Sequence, residues 1–418
     1  MARYSSRGRS LVLTALLIPA TLSSAETPDW NNNFREGVTA FSAGRYKDAI
    51  DLLTIASEQA KSLPEPELKL AQVSHVLAMS YQFLGDLSHA EPLYLRVQSI
   101  LEPLGSEGRD LLAVTLSGLG LLRVEQGKWK EAETTLTRAI DLCLVSRGGN
   151  DRCILTATRN LGDLYAAEGR VNEASTILER AVNTSRQVPA LPQDLSSALL
   201  RSLAHVYMQE GVYEKAEPLL QEALQSTSKS GANDLSYADS LFSLGRMYRM
   251  EGDTARAEPL VRKAAAIYEG AGDPLRATAW DELGMIAVED HKYTTGRGLI
   301  LRSLELNRKT FGEDHITVAQ GQSDLAQAYL GERKYSEARA QIDAALTSQR
   351  RLLGEAHYAV ARSHMIAAEI EALLHHKPEA DQHYRAALSI FRASFGNNNP
   401  DLAAAEREYR LFSKSFAK

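Results

Sequence analysis

The 418-residue chain predicts an all-α fold of the solenoid kind, a row of helical hairpins with no linker that would divide it into domains. The first observation is a period. A turn glycine recurs at Gly44, Gly85, Gly127, Gly169, Gly211 and Gly252, and the register continues through His291, Arg333 and His375, at spacings of 39 to 42 residues. A fixed spacing in this range marks a repeat architecture. The second observation is a pair of small-residue slots. Five residues after each anchor stand Ala49, Ala90, Ala132, Ala174, Ala216, Ala257, Gly296, Ala338 and Ala380. Seven before it stand Gly37, Ala78, Gly120, Gly162, Ala204, Gly245, Gly284, Ala326 and Ala368. The third is a bulky slot nine residues after the anchor: Leu53, Tyr94, Leu136, Leu178, Leu220, Val261, Ile300, Ile342 and Tyr384. Small residues let two helix axes approach, and large ones fill the space alongside. One hairpin cannot bury such a face alone, so it must lean on its neighbours.

Composition agrees. Apolar residues make up 44% and charged ones 24%, ordinary for a soluble protein, yet the chain is too long for one compact core. A solenoid resolves this because its core grows lengthwise. The formal charge is −6. No basic stripe of the sort nucleic-acid binding requires is present.

Taken in order, residues 1–25 read as a secretory leader. Arg3, Arg7 and Arg9 give a positive start, Leu11 to Ile18 a short apolar run, and Ser23-Ser-Ala25 the small residues of a cleavage site. The run is shorter than a membrane span. Cleavage after Ala25 would move the formal charge to −9. Residues 26–400 carry nine repeats. The first starts near Asp29 with a weak helix, because Asn31, Asn32 and Asn33 replace apolar residues, as a terminal unit's polar face allows. The second contains Ala90-Glu-Pro-Leu93. Its proline, like Pro218 and Pro259 later, is expected in the first turn of a helix, where N–H groups lack partners. Cys143 ends the third repeat, Gly148-Gly149 follows, and Cys153 opens the fourth. In an exported chain these two, the only cysteines, are candidates for a disulfide; two buried thiols are the alternative. The fourth to sixth repeats are the most regular, and later ones drift. Residues 401–418 form a capping helix, with Leu402, Ala405, Tyr409 and Phe412 on one stripe.

The pattern resembles the tetratricopeptide repeat (TPR). Leu161-Gly162, Tyr165, Gly169, Ala174 and Ala181 carry the likeness in one unit, and Leu244-Gly245, Tyr248, Gly252, Ala257 and Ala264 in another. The longer period, the Ala-Glu-Pro-Leu phrase and Phe311-Gly-Glu-Asp-His315 look like the kinesin-light-chain type, in a bacterial exported form. The resemblance covers roughly residues 30 to 400 and implies a right-handed superhelix of about nine hairpins. It also implies a concave groove, lined by the first helix of each repeat, where extended peptides bind.

No catalytic set emerges. The sequence lacks Gly-x-Ser-x-Gly, a phosphate loop and His-Glu-x-x-His. Neither catalytic residues nor a cofactor is expected. Five histidines cluster late, His357, His364, His375, His376 and His383. Their spacing is not that of a helical chelate and no cysteine assists, so they read as surface residues rather than metal ligands. The groove is the better candidate. By position the resemblance places Arg159, Asn160, Arg201, His205, Arg246 and Arg249 on one wall over three units, with Asp163 beside them. Early lining slots are apolar (Phe34, Val38, Phe41, Met79, Phe83), and later ones acidic (Asp281, Glu282, Glu289, Asp324, Glu369). Arginine forks suit carboxylates, so the wall would anchor an acidic side chain or a C-terminal carboxylate. Alternatively the arginines pair with neighbouring acids on a solvated face. In the kinesin-light-chain type, asparagine repeats in the slot of Asn160; here Ser202, Ser243, Glu282 and Asp324 occupy it, so a shared peptide specificity is not implied.

The expected function is therefore a non-catalytic scaffold or adaptor that binds a protein or peptide in its groove. The chain would be exported to the periplasm or secreted, without stable membrane insertion once the leader is removed and without nucleic acid. An envelope-assembly role through the convex face or the ends is the alternative, and a metal-dependent enzyme a more distant one.

Overall fold

The structure, a computed structural model, describes residues 28–145, 151–188, 191–229, 234–395 and 400–415. The expected leader, Gly148-Gly149, Pro189 and residues 397–399 lie outside them. The described residues form nineteen α-helices and no strand. In chain order these are α1 (Pro28–Ser42), α2 (Tyr46–Ala60), α3 (Pro66–Phe83), α4 (Leu87–Leu101), α5 (Arg109–Glu125), α6 (Trp129–Leu144), α7 (Asp151–Glu168), α8 (Val171–Ser185), α9 (Gln193–Glu210) and α10 (Tyr213–Thr227). Then follow α11 (Leu235–Glu251), α12 (Thr254–Gly270), α13 (Leu275–Glu289), α14 (Tyr293–Phe311), α15 (Ile316–Gly331), α16 (Tyr335–Leu353), α17 (Tyr358–Leu373), α18 (Lys377–Phe395) and α19 (Pro400–Ser415). They make nine antiparallel hairpins, each packed on the next, and a last single helix.

The slots read from the sequence explain the packing. All nine anchor residues hold a left-handed backbone, including His291 (φ 60°), Arg333 (φ 60°) and His375 (φ 64°). This conformation closes the turn between the two helices of a hairpin. The small slot meets the bulky slot directly. A Cβ added at Gly162 would sit 2.6 Å from Leu178 Cγ, and one at Gly120 2.6 Å from the Leu136 side chain. The other small slot is closed completely, with Ala49, Ala174, Ala216 and Ala338 at zero exposure. Leu402, Ala405 and Phe412 of α19 are buried against α17 and α18, so the apolar stripe of the cap covers the last hairpin.

One local expectation is corrected. Pro92, Pro218 and Pro259 lie inside their helices rather than in the first turn, because α4, α10 and α12 start at Leu87, Tyr213 and Thr254. Each proline leaves the carbonyl four residues earlier without its helical donor. Those carbonyls belong to Ser88, Glu214 and Ala255, all on exposed residues, as the prolines are. Water can serve them, and buried Ala90, Ala216 and Ala257 hold the helices in place.

First helices of successive repeats pack directly on one another all along the row, from α1 on α3 to α15 on α17, and so line the concave side. The superhelix also touches itself one turn later. Tyr46 donates to Asp273 across 3.4 Å. A Cβ on Gly85 would overlap Phe311, and one on Gly127 would lie 2.6 Å from the Leu352 carbonyl oxygen. His357 reaches the Ala167 carbonyl at 2.6 Å. These contacts join residues up to 227 positions apart.

Candidate functional site

The concave wall between the fourth and seventh repeats is built from α7, α9, α11 and α13. Arg159, Asn160 and Arg201 are buried there, while His205, Arg246 and Arg249 are half-buried. Their positions one repeat apart on successive first helices bring them along one side, and counter-charges from the next repeat meet them. Arg159 donates to Asn160 Oδ1 at 3.0 Å. Arg201 donates to Ser197 and Ser240, both at 3.2 Å, and lies 3.7 Å from Asp239. Asp239 in turn accepts from the Tyr268 hydroxyl at 2.6 Å.

A second cluster forms where α11 meets α13. Arg249 bonds Glu282 and reaches Glu289 at 2.6 Å, and Arg246 lies 3.9 Å from Glu282. Burial would lower the Arg249 pKa, but Glu282 and Glu289 outweigh it and hold the guanidinium above its ordinary value. Burial would raise Glu282, yet Arg249 and Arg246 pull it down. Glu289 stays raised because burial exceeds what Arg249 returns. Two arginines and two glutamates thus make an internally balanced cluster, and a bound carboxylate would have to exchange with Glu282 or Glu289. The sequence singled out the arginines and noted the acids in later slots; it did not connect them, since Arg249 and Glu282 are 33 residues apart. Asp239, Ser240 and Tyr268 were missed, and nothing but a repeat-by-repeat alignment of charges would have found them.

Past Glu282 the wall turns acidic. Burial pushes Asp281 well above the ordinary carboxyl range, and Asp324 beside it adds to the shift. Of the early apolar slots, Phe41 and Met79 are buried in the core rather than lining the groove, and Phe41 packs edge-on against Phe83 at 5.4 Å.

Two of the late histidines correct the surface reading, whereas His375 and His376 are exposed as expected. His357 and His364 are buried, because each fills a junction between helices. His364 Nδ1 lies 2.7 Å from His383 Nδ1, and Arg350 donates to His364 Nε2 at 3.0 Å. Among the described residues no group of three or more His, Cys, Asp or Glu side chains is placed to hold a metal ion. Cys143 and Cys153 are joined as a disulfide with Cα atoms 5.6 Å apart, tying the end of α6 to the start of α7. No helix among the described residues is long and apolar enough to cross a membrane.

Comparison with known proteins places the repeats. A family model described as the MalT-like TPR region matches residues 37–305, and a tetratricopeptide-repeat model matches residues 275–342. No curated protein matches the sequence. Among solved structures, a Rap protein complexed with competence and sporulation factor aligns with a TM-score of 0.63 at 16% identity, covering 88% of this chain and 98% of its own. The Rap conjugation gene regulator of plasmid pLS20, in complex with the Phr* peptide, aligns at 0.56 and 12% identity over 89% and 98%. Aspartyl phosphate phosphatase F from Bacillus subtilis aligns at 0.53 and 13% identity over 90% and 97%. At such identities the likeness is one of fold.

Proposed function

Because the chain belongs to the MalT-like tetratricopeptide-repeat proteins, we propose that it is a non-catalytic scaffold or adaptor that binds a peptide or protein segment along its concave wall. The observation that supports this reading is the continuous packing of first helix on first helix, with a charged cluster of Arg246, Arg249, Glu282 and Glu289 where α11 meets α13. Two of the similar structures are complexes with a factor or a peptide. A third bears a phosphatase's name; we assign no reaction to this chain.

An acidic group of the partner would enter by exchange, taking the place of Glu282 or Glu289 on Arg249. Such an exchange conserves charge-assisted hydrogen bonds and favours a well-placed bidentate carboxylate over a loose one. Export is part of the same proposal. A disulfide in a chain with no other cysteine suits an oxidising compartment such as the periplasm.

The test is capture of partners from a periplasmic extract on the immobilised chain, with peptide mapping of what is retained. The double variant His205→Ala/Arg246→Ala alters two half-buried groove positions. It should weaken retention by roughly tenfold, the loss of one or two charge-assisted contacts. Arg262→Ala on an exposed position of α12 should leave it unchanged. Undiminished retention by the groove variant would move the binding surface to the convex face or the ends.

A further inference from the structure

Along the last three repeats the concave wall opens into a cavity of about 580 Å³ between α13, α15, α17 and α19. Its floor is apolar, with Val288, Leu330, Met365, Ile366 and Phe391. Its rim is mostly acidic: Glu289, Glu369, Asp401 and Glu408 stand against Arg333 and Arg362. Glu289 is already committed to Arg249. Glu369 and Glu408 are not joined by a hydrogen bond or ion pair to any described residue. After burial, the neighbour that most affects Glu369 is another acid, Glu408, and both acids act on the Tyr384 hydroxyl. Arg407 is the cation that acts on Glu408.

We propose that this cavity seats a basic, apolar stretch of the bound peptide, with a lysine or arginine side chain between Glu369 and Glu408 and apolar neighbours on the Met365–Phe391 floor. The inference rests on the peptide-binding reading above and gives that groove a direction. Glu369 and Glu408 line the same cavity and Glu408 acts on Glu369 as a like charge, so a cation bound beside them would relieve that repulsion. A concave wall strengthens the effect by concentrating the field. The arginine-bearing wall lies toward the middle of the chain and the acid-rimmed cavity toward its end. A peptide with an acidic group at one end and a basic one at the other therefore fits in one orientation.

The experiment uses the full chain and three capped, fluorescein-labelled pentapeptides: Leu-Arg-Leu-Arg-Leu, Leu-Gln-Leu-Gln-Leu and Leu-Glu-Leu-Glu-Leu. Fluorescence anisotropy should show the basic peptide binding on the order of tenfold more tightly than the neutral one. Glu369→Gln/Glu408→Gln should remove most of that margin and leave the neutral peptide unaffected. Both sites are exposed and the change is isosteric, so an unaltered thermal midpoint is expected and serves as the folding control. Equal binding of basic and neutral peptides, or a margin that survives the double variant, overturns the inference and leaves the groove reading standing. Failure of all three peptides to bind sinks both.

Discussion

Three of the nine turns place a side chain where the backbone prefers none. His291, Arg333 and His375 sit at φ near +60° in the slot that six other repeats give to glycine. A left-handed residue with a Cβ costs about 1–2 kcal/mol, partly offset because glycine has more freedom to lose on folding. Arg333→Gly should therefore stabilise the chain by about 0.5–1 kcal/mol, read as a higher urea midpoint with an unchanged slope. His291 is a poorer choice, since its Nδ1 lies 2.7 Å from the Tyr293 hydroxyl. A lower midpoint for Arg333→Gly would mean that contacts of the arginine stem outweigh the strain. The slot was legible in the sequence even where its glycine was missing, because spacing alone kept the register. Burial of a given polar residue was not legible in this way. His357, the N-cap of α17, and His364 within that helix look in sequence like exposed positions, and only the neighbouring helices decide that they are covered.

Between elements, the buried histidines act as neutral hydrogen-bonding pieces, which makes the packing sensitive to acid. His75 of α3 donates from Nδ1 to the Thr115 hydroxyl of α5 at 3.1 Å, since that hydroxyl gives its own hydrogen to the Leu111 carbonyl. His357 caps α17 by accepting from the Ala359 N–H at Nδ1, and gives its Nε2 hydrogen to the Ala167 carbonyl, which can only accept. His364 must accept from Arg350, so it donates to His383. Burial lowers all three to about 4 from 6.5. For His357 the Ala167 bond opposes that shift, and for His364 the nearby His383 and Arg350 add to it. The folded form holds the neutral base and the unfolded form takes up the proton, so stability is whole above pH 6.5 and is lost progressively as pH falls toward 4. Each histidine contributes at most about 3 kcal/mol to that loss. Urea midpoints should fall across this window, and NMR of the ring protons should find none of the three titrating above about pH 5. One that titrates near its free value would show that its junction is open. The same scale explains how much of the site could be read in advance. The small and bulky slots repeat, so Gly162 against Leu178 follows from spacing. The partners of Arg201 and Arg249 do not repeat. Asp239, Glu282 and Glu289 come from the next hairpin and vary from unit to unit, so the charge balance of the wall appears only once the hairpins are stacked.

At the scale of the whole molecule the curvature is set by two kinds of contact, hairpin on hairpin and turn on turn. The second kind distinguishes a closed coil from an open arc, and it governs the width of the trough in which a peptide would lie. Two glycines separate the effects. Gly127 and Gly169 both have left-handed backbones, φ +72° and +83°, so alanine at either should cost a similar 1–2 kcal/mol of local strain. Gly169 has nothing within 4 Å of an added Cβ, whereas at Gly127 that atom would lie 2.6 Å from the Leu352 backbone oxygen at the end of α16. A backbone oxygen cannot swing aside as a side chain can, so the neighbouring turn must move. Gly169→Ala should lower the thermal midpoint and leave the small-angle scattering curve as it is. Gly127→Ala should lower the midpoint at least as far and also enlarge the radius of gyration. Amide exchange should then quicken around residues 352–358, where His357 and Tyr358 meet Ala167 and Gln209. Identical scattering from the two variants would mean that the coil does not close on itself in solution, and the trough would then be held by the hairpin contacts alone.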